Sequence, residues 1–349
     1  MKPLALGLLR LLARTCGAAA LAFLAAEGAL RLGGLPTGGT RSIRDAYDVT
    51  ETAVGAFTPG GAVRVTWPPE TAYAARFNAL GCRGDAPRAV AAPAVVCVGD
   101  SLTFGMGLAD EDAYPAQLDR RLAAAGTPRP VVNLASGHLH IEDSREYLDR
   151  ALARLDVGLV VLLAPCDGYL DPPGPAGETQ HRRSKRREAE RRGGVAGFVH
   201  DLALYEARTL ARLWRERASL VGRGQFPPDF QATGAAPEAE RDALRARYLE
   251  QARLLADAVR ARGARLVFAA WPEVRVAGGV PSFHPPWSAA AAAALGVPYV
   301  DLQAALARAP DPAGLLQLPV DLHPSPRGAA VIAAEVHRAL AREGLLGPG

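Results

Sequence analysis

The stretch VVCVGDSLTFGMG, Val95 to Gly107, runs four apolar residues straight into Gly99-Asp100-Ser101 and then into a second glycine-spaced turn. An unbroken apolar run has no polar face, so it fits a strand covered on both sides, as in a parallel sheet. The small residues behind it end the strand and present one hydroxyl. The same grammar recurs in AVVCVGDS (Ala94 to Ser101), PVVNLASG (Pro130 to Gly137), VGLVVLLAPCDG (Val157 to Gly168), ARLVFAAWP (Ala264 to Pro272) and VPYVDL (Val297 to Leu302). Helical patterns lie between them: Asp110 to Gly126, Glu142 to Leu155, Pro237 to Gly263 and, at the end, Arg327 to Arg342. In the third, Leu244, Tyr248, Leu255 and Val259 share one stripe, and Gly263 supplies a C-cap. This alternation predicts an α/β domain, a three-layer α/β/α sandwich whose parallel sheet has about five strands joined by right-handed crossovers. Working residues of such sheets gather beyond the carboxyl ends of the strands. Ser101, Gly137, Cys166 with Asp167, and Trp271 all fall there.

Outward from this core, the chain divides into three parts. Residues 1–32 open with Lys2, Arg10 and Arg14 before the eleven-residue apolar run CGAAALAFLAA (Cys16 to Ala26). That is the order of a charged n-region and an apolar h-region, which predicts export. A retained anchor over residues about 4–30 and a cleaved signal peptide both fit, and the anchor is the preferred reading. Residues 33–90 read as a glycine-punctuated linker and a small β-rich lead-in, in which GAVRVTW (Gly61 to Trp67) alternates like a hairpin arm. Residues 91–345 hold the α/β domain, with a charged insertion at about 173–240. Within it, GETQHRRSKRREAERRGG (Gly177 to Gly194) reads as a solvated helix or a disordered loop, against a role in binding an anionic polymer or lipid surface. Phe198 to Arg217 then reads as a helix with an apolar stripe.

The net charge of +4, with 49% hydrophobic and 6% aromatic residues, describes a helix-rich globular chain. No aromatic or basic motif for nucleic acid accompanies that charge. The four cysteines, Cys16, Cys82, Cys97 and Cys166, show no C-x-x-C spacing for zinc or redox chemistry. A Cys82–Cys166 disulfide and two unpaired thiols both remain open.

A serine hydroxyl becomes a nucleophile when a histidine, oriented by a carboxylate, removes its proton. Of seven histidines, His323 in VDLHPSPRG (Val320 to Gly328) follows Asp321 by two positions, and in an extended segment that spacing puts both side chains on one side. His138 and His140 follow the second strand and could line a site, and His284 could gate a groove or stiffen a loop. His337 lies within the last helix, while His181 and His200 fall in the insertion. The developing oxyanion needs donors, for which the backbone N–H groups of Ser101 and Gly137 are candidates.

These residues resemble the SGNH or GDSL hydrolases, a family of lipase- and esterase-like enzymes. VGDSLTFG resembles its first block, VVNLASG its second and DLHPSPRGAAVIA its last. The resemblance implies a flavodoxin-like sheet, Ser101 as nucleophile and oxyanion donor, Gly137 as a second donor, and Asp321 with His323 completing the triad. RFNALGCRG (Arg76 to Gly84) and the segment running on through AYPAQL (Ala113 to Leu118) resemble members with an amino-terminal membrane anchor that work outside the cytoplasm, on the periplasmic face. One block departs. Where the family has Gly-x-Asn-Asp, with the asparagine amide as third donor, this chain reads Ala164-Pro165-Cys166-Asp167, and a thiol is a weak donor. Asn133 as a substitute donor, a slow enzyme and a degraded site compete to explain the change. Cys166 as nucleophile lacks a visible basic partner. The implied activity is a serine ester hydrolase acting on an O-acyl ester such as an acetylated glycan or a lipid, with no metal or organic cofactor. The alternatives are an O-acetyltransferase on a cell-surface polysaccharide and a silenced binding protein.

Overall fold

The computed structural model describes residues 2–32, 46–65, 73–137, 139–164, 180–191, 207, 211, 215, 238–277, 280–286, 288–317 and 322–347. In chain order it contains α1 (Lys2–Leu32), β1 (Ala62–Val65), β2 (Tyr73–Arg76), β3 (Ala94–Gly99), α2 (Ser101–Phe104), α3 (Tyr114–Ala124), β4 (Val131–Asn133) and α4 (Ile141–Arg154). There follow β5 (Val157–Ala164), α5 (Gln180–Arg191), α6 (Glu238–Ala261), β6 (Arg265–Ala270), β7 (Glu273–Ala277), β8 (Val280–His284), α7 (Ala289–Leu295), β9 (Tyr299–Asp301), α8 (Leu302–Ala307) and α9 (Pro326–Arg342).

Five parallel strands form the central sheet in the order β4-β3-β5-β6-β9. Val96 pairs with Val132 on one side and Val160 on the other, and Leu162 pairs with Phe268. Counted along the chain this is the flavodoxin-like order 2-1-3-4-5, which reverses direction beside its first strand, β3. The unbroken apolar runs have the predicted cause, since successive residues serve opposite faces. Val96, Val98, Val160, Leu162, Leu266 and Phe268 join one core with α4, α6 and α7. Val95, Cys97, Val161, Leu163, Val267 and Ala269 join the other with α3, α8 and α9. Tyr248, Leu255 and Val259 of the predicted α6 stripe are buried.

The lead-in belongs to the first of these cores. β1 and β2 pair antiparallel. Tyr47, Phe57 and Phe77 are buried with the sheet residues, and the Phe57 and Phe77 rings stack with centroids 4.1 Å apart. The α1 segment Arg14–Leu32 is long and apolar enough to cross a membrane, and its Leu21, Phe23 and Leu24 are exposed.

Two expectations are corrected. The segment after β6 holds an antiparallel hairpin, β7 with β8, that the helix-and-strand alternation did not anticipate. The basic run contains α5, and α5 is docked rather than wholly solvated. Its His181 is 1% exposed, its ring lies edge-on 4.6 Å from Tyr47, and its Nε2 lies 2.8 Å from Tyr147 Oη. Lys185, also buried, donates to Tyr147 Oη at 3.2 Å and faces Glu51 at 3.4 Å. The helix expected over Phe198 to Arg217 lies outside the described residues except at three positions.

Candidate active site

At the carboxyl end of β3 the chain must turn at once into α2. Gly99 permits this: a Cβ there would lie 2.3 Å from Thr103 Oγ1 and 2.7 Å from the Leu163 carbonyl oxygen of β5. No residue with a side chain fits so close to the Thr103 hydroxyl and the backbone of the neighbouring strand. Asp100 caps the short helix, its Oδ1 accepting from Leu102 N–H at 2.9 Å, and Ser101 is the first helical residue. The Ser101 carbonyl accepts from the N–H groups of Gly105 and Met106, both at 3.0 Å.

The loop that follows is held from outside by a buried guanidinium. Arg83, in the lead-in, donates through Nη1 to the carbonyls of Phe104 (2.6 Å) and Gly105 (2.7 Å), and through Nη2 to that of Leu108 (2.5 Å). Its Nε donates to Asp110 at 2.9 Å, and its charge lies 4.4 Å from the centre of the Phe104 ring. A planar fork of five donors is suited to this work. Asn133, at the end of β4, adds to the brace: its Nδ2 donates to the carbonyls of Thr103 and Phe104 at 3.2 and 3.4 Å. That engagement corrects the expectation of Asn133 as a spare oxyanion donor, because its amide hydrogens serve the turn behind Ser101.

His323 arrives from the far end of the sequence. It is buried, and its Nε2 lies 2.7 Å from Ser101 Oγ across 222 positions of chain. The residues after it fix the loop to α9. Ser325 Oγ accepts from Gly328 N–H as the N-cap and donates to the Gly314 carbonyl at 2.6 Å. Asp100 adds a carboxyl that burial, above all, holds over the ordinary carboxylate value, while the Leu102 N–H and the charges of His323 and His140 draw it back.

Gly137 is buried in the turn after β4, the strand next to β3. Asp321, Cys166 and His138 lie outside the described residues, as do Asp167 and His200. The other described histidines lie on other elements. His140 precedes α4 as its buried N-cap residue, His284 on β8 lies 3.1 Å from Ser282 Oγ, and His337 is half-buried on α9. Cys82 and Cys97 are buried free thiols, and burial pushes each up to about 12, so neither supplies a thiolate at neutral pH.

The residues that the sequence did not point to are the bracing ones, Arg83 with Asp110. Arg83 looked like one arginine of many in a turn-rich segment. The only hint was its position in RFNALGCRG, one of the stretches that carries the family resemblance.

A family model for GDSL-like lipases and acylhydrolases matches residues 97–331, a span that holds both Ser101 and His323. Among solved structures, a protein of the G-D-S-L family from Desulfitobacterium hafniense DCB-2 is 15% identical with a TM-score of 0.40, covering 71% of this chain and 100% of its own. A lipase/acylhydrolase from Enterococcus faecalis is 16% identical with a TM-score of 0.42, covering 72% and 97%. The psychrotrophic esterase EstA from Pseudoalteromonas sp. is 12% identical with a TM-score of 0.39, covering 72% and 98%. Among curated proteins, none matches.

Proposed function

The chain belongs to the GDSL-like lipase/acylhydrolase family, and on that premise we propose that it is a serine ester hydrolase working through Ser101 and His323. The observation that carries the reading is the 2.7 Å approach of His323 Nε2 to Ser101 Oγ. At that distance the hydroxyl donates its proton to the imidazole as the oxygen attacks an acyl carbonyl. The imidazolium then returns the proton to the departing alkoxide, and water repeats the sequence to release the acid. Asp321, two positions before His323, holds the imidazole in the reactive tautomer. The backbone N–H groups of Ser101 and Gly137 receive the oxyanion.

Cys166 stands where the family carries its third donor, and the loss of one such donor costs about a hundredfold to a thousandfold in rate. The proposed enzyme is accordingly slow on simple esters. The same substitution is the specific support for a second reading, a silenced member that only binds. The helix α1 serves, in this proposal, as an anchor that holds the catalytic domain at the outer face of the cytoplasmic membrane, where acylated glycans and lipids are the available esters.

The test is hydrolysis of a short-chain aryl acetate by the full chain in detergent, wild type beside Ser101→Ala. The proposal expects a wild-type rate above blank and its loss in the variant. Equal rates in the two proteins overturn it. A wild-type rate that climbs on adding a glycan acceptor, with acetyl appearing on the glycan, would replace hydrolysis by O-acetyl transfer through the same serine.

A further inference from the structure

Gln317 lies in the segment before the loop that carries His323, and it touches both halves of the candidate site. Its side-chain Nε2 donates to the Met106 carbonyl at 2.7 Å and to the Pro324 carbonyl at 2.9 Å. Its backbone N–H donates to the His323 carbonyl at 3.0 Å. On the other side, Met106 N–H donates to the Ser101 carbonyl at 3.0 Å. These links close a ring: from Ser101 to Met106, to Gln317, to His323, and back through His323 Nε2 to Ser101 Oγ at 2.7 Å. Every link except the last is an amide N–H to a carbonyl, and none of them titrates.

The surroundings accommodate the amide closely. Gly107 has φ +78°, and a Cβ there would lie 2.1 Å from Gln317 Oε1. The glutamine amide therefore occupies the space of the absent side chain and lies against the backbone of the serine's own loop. Behind it, Leu316 and Pro324 form an antiparallel bridge and Ser325 N–H donates to the Leu315 carbonyl at 2.9 Å. The histidine loop is thus pinned at its base, and Gln317 is the point at which that base meets the serine loop.

We propose that Gln317 is a positioning residue that sets the separation of His323 from Ser101 by tying their two loops together. The inference rests on the Ser101–His323 reading above. It is chemically specific, because one amide NH2 supplies the two hydrogens that two carbonyls on separate loops require. A residue with one hydrogen, or none, leaves at least one of those carbonyls unbonded. A displacement of about 1 Å at a reacting pair costs about a hundredfold in rate, so the loss should appear in kcat and leave substrate affinity nearly unchanged.

The experiment measures kcat and KM for aryl acetate hydrolysis by the full chain as wild type, Ser101→Ala, Gln317→Met, Gln317→Asn, His323→Ala and the double variant Gln317→Met with His323→Ala. Methionine keeps the length and volume without the donors, and asparagine keeps the amide on a stem one methylene shorter. The expected result is a fall in kcat of about 30- to 100-fold for Gln317→Met, with KM within about threefold, and a smaller fall for Gln317→Asn. In the His323→Ala background, Gln317→Met should change the residual rate by less than about twofold, since the effect passes through the imidazole. Wild-type kcat in Gln317→Met, or an equal fractional loss with and without His323, overturns the inference. Where Gln317→Met does not fold, Gln317→Asn carries the same comparison in both backgrounds. A Ser101→Ala protein as active as wild type overturns the serine reading itself, which separates that failure from the failure of the coupling.

Discussion

Arg83 and the arginines of α5 bring the same guanidinium group into opposite surroundings. The Arg83 side chain is 1% exposed, and its nitrogens are committed to three carbonyls of the Phe104–Leu108 segment and to Asp110. On α5, Arg186 and Arg187 are exposed, and Arg182 is 58% exposed where it meets Glu146. Among the described side chains of that helix, His181 and Lys185 are the buried ones. Burial removes the water that would otherwise satisfy a guanidinium, so Arg83 must be satisfied by protein, and the groups that satisfy it become fixed in return. The exposed arginines keep access to water. Density of charge along the chain therefore does not mark the arginine that holds the serine loop.

The largest effect should come from the buried group. Arg83→Met leaves Asp110 with Arg76, at 3.1 Å, and takes one donor from each of the Phe104, Gly105 and Leu108 carbonyls. The expected destabilisation is about 3 kcal/mol, the low end for a broken buried pair because Arg76 remains. Denaturant unfolding checks this. Arg83→Lys sharpens the comparison, since it keeps the charge but not the fork, and it should recover less than half of the lost stability. Full recovery by lysine would mean that charge alone mattered.

A smaller effect is expected at Asp100, the buried carboxyl that precedes Ser101 in the chain. Burial raises its carboxyl in the folded state, so ionisation costs more there than in the unfolded chain. Asn keeps the oxygen that accepts from Leu102. Above the folded-state value Asp100→Asn should therefore be the more stable protein, and its advantage should vanish as pH falls below the unfolded carboxylate value of about 4, where both states of Asp100 hold the proton. Thermal unfolding from pH 4 to pH 8 reads this directly. An advantage that stays constant across the range would remove ionisation as its cause.

The smallest effect belongs to the surface of α5. Arg186→Glu with Arg187→Glu should change the unfolding free energy by no more than about 0.5 kcal/mol each. A loss of several kcal/mol there would erase the contrast with Arg83.

The contrast also explains what could be read before any fold was known. The sheet was legible because Val95, Val96, Cys97 and Val98 alternate between two apolar cores, and only a strand covered on both faces needs such a run. The pairing of Ser101 with His323 was legible from chemistry, as two residue types that make sense together at the ends of elements. The β7–β8 hairpin has a local signal, the alternation in EVRVA and VPSFH around Gly278-Gly279. Arg83 and Gln317 had no such signal. Each acts through carbonyls of a distant segment, and a carbonyl has no letter in the sequence. Asn133 shows the same limit from the other side, since the partners of its amide, the Thr103 and Phe104 carbonyls, lie on a distant segment and carry no letter of their own.

Activation of Ser101 by His323 is tested most directly by labelling the full chain with a fluorophosphonate. Peptide mass analysis should find the phosphonyl adduct on Ser101 in the wild type, with the labelling rate reduced at least about a hundredfold in His323→Ala. An adduct elsewhere, none at all, or labelling of Ser101 at the same rate without the imidazole would contradict it.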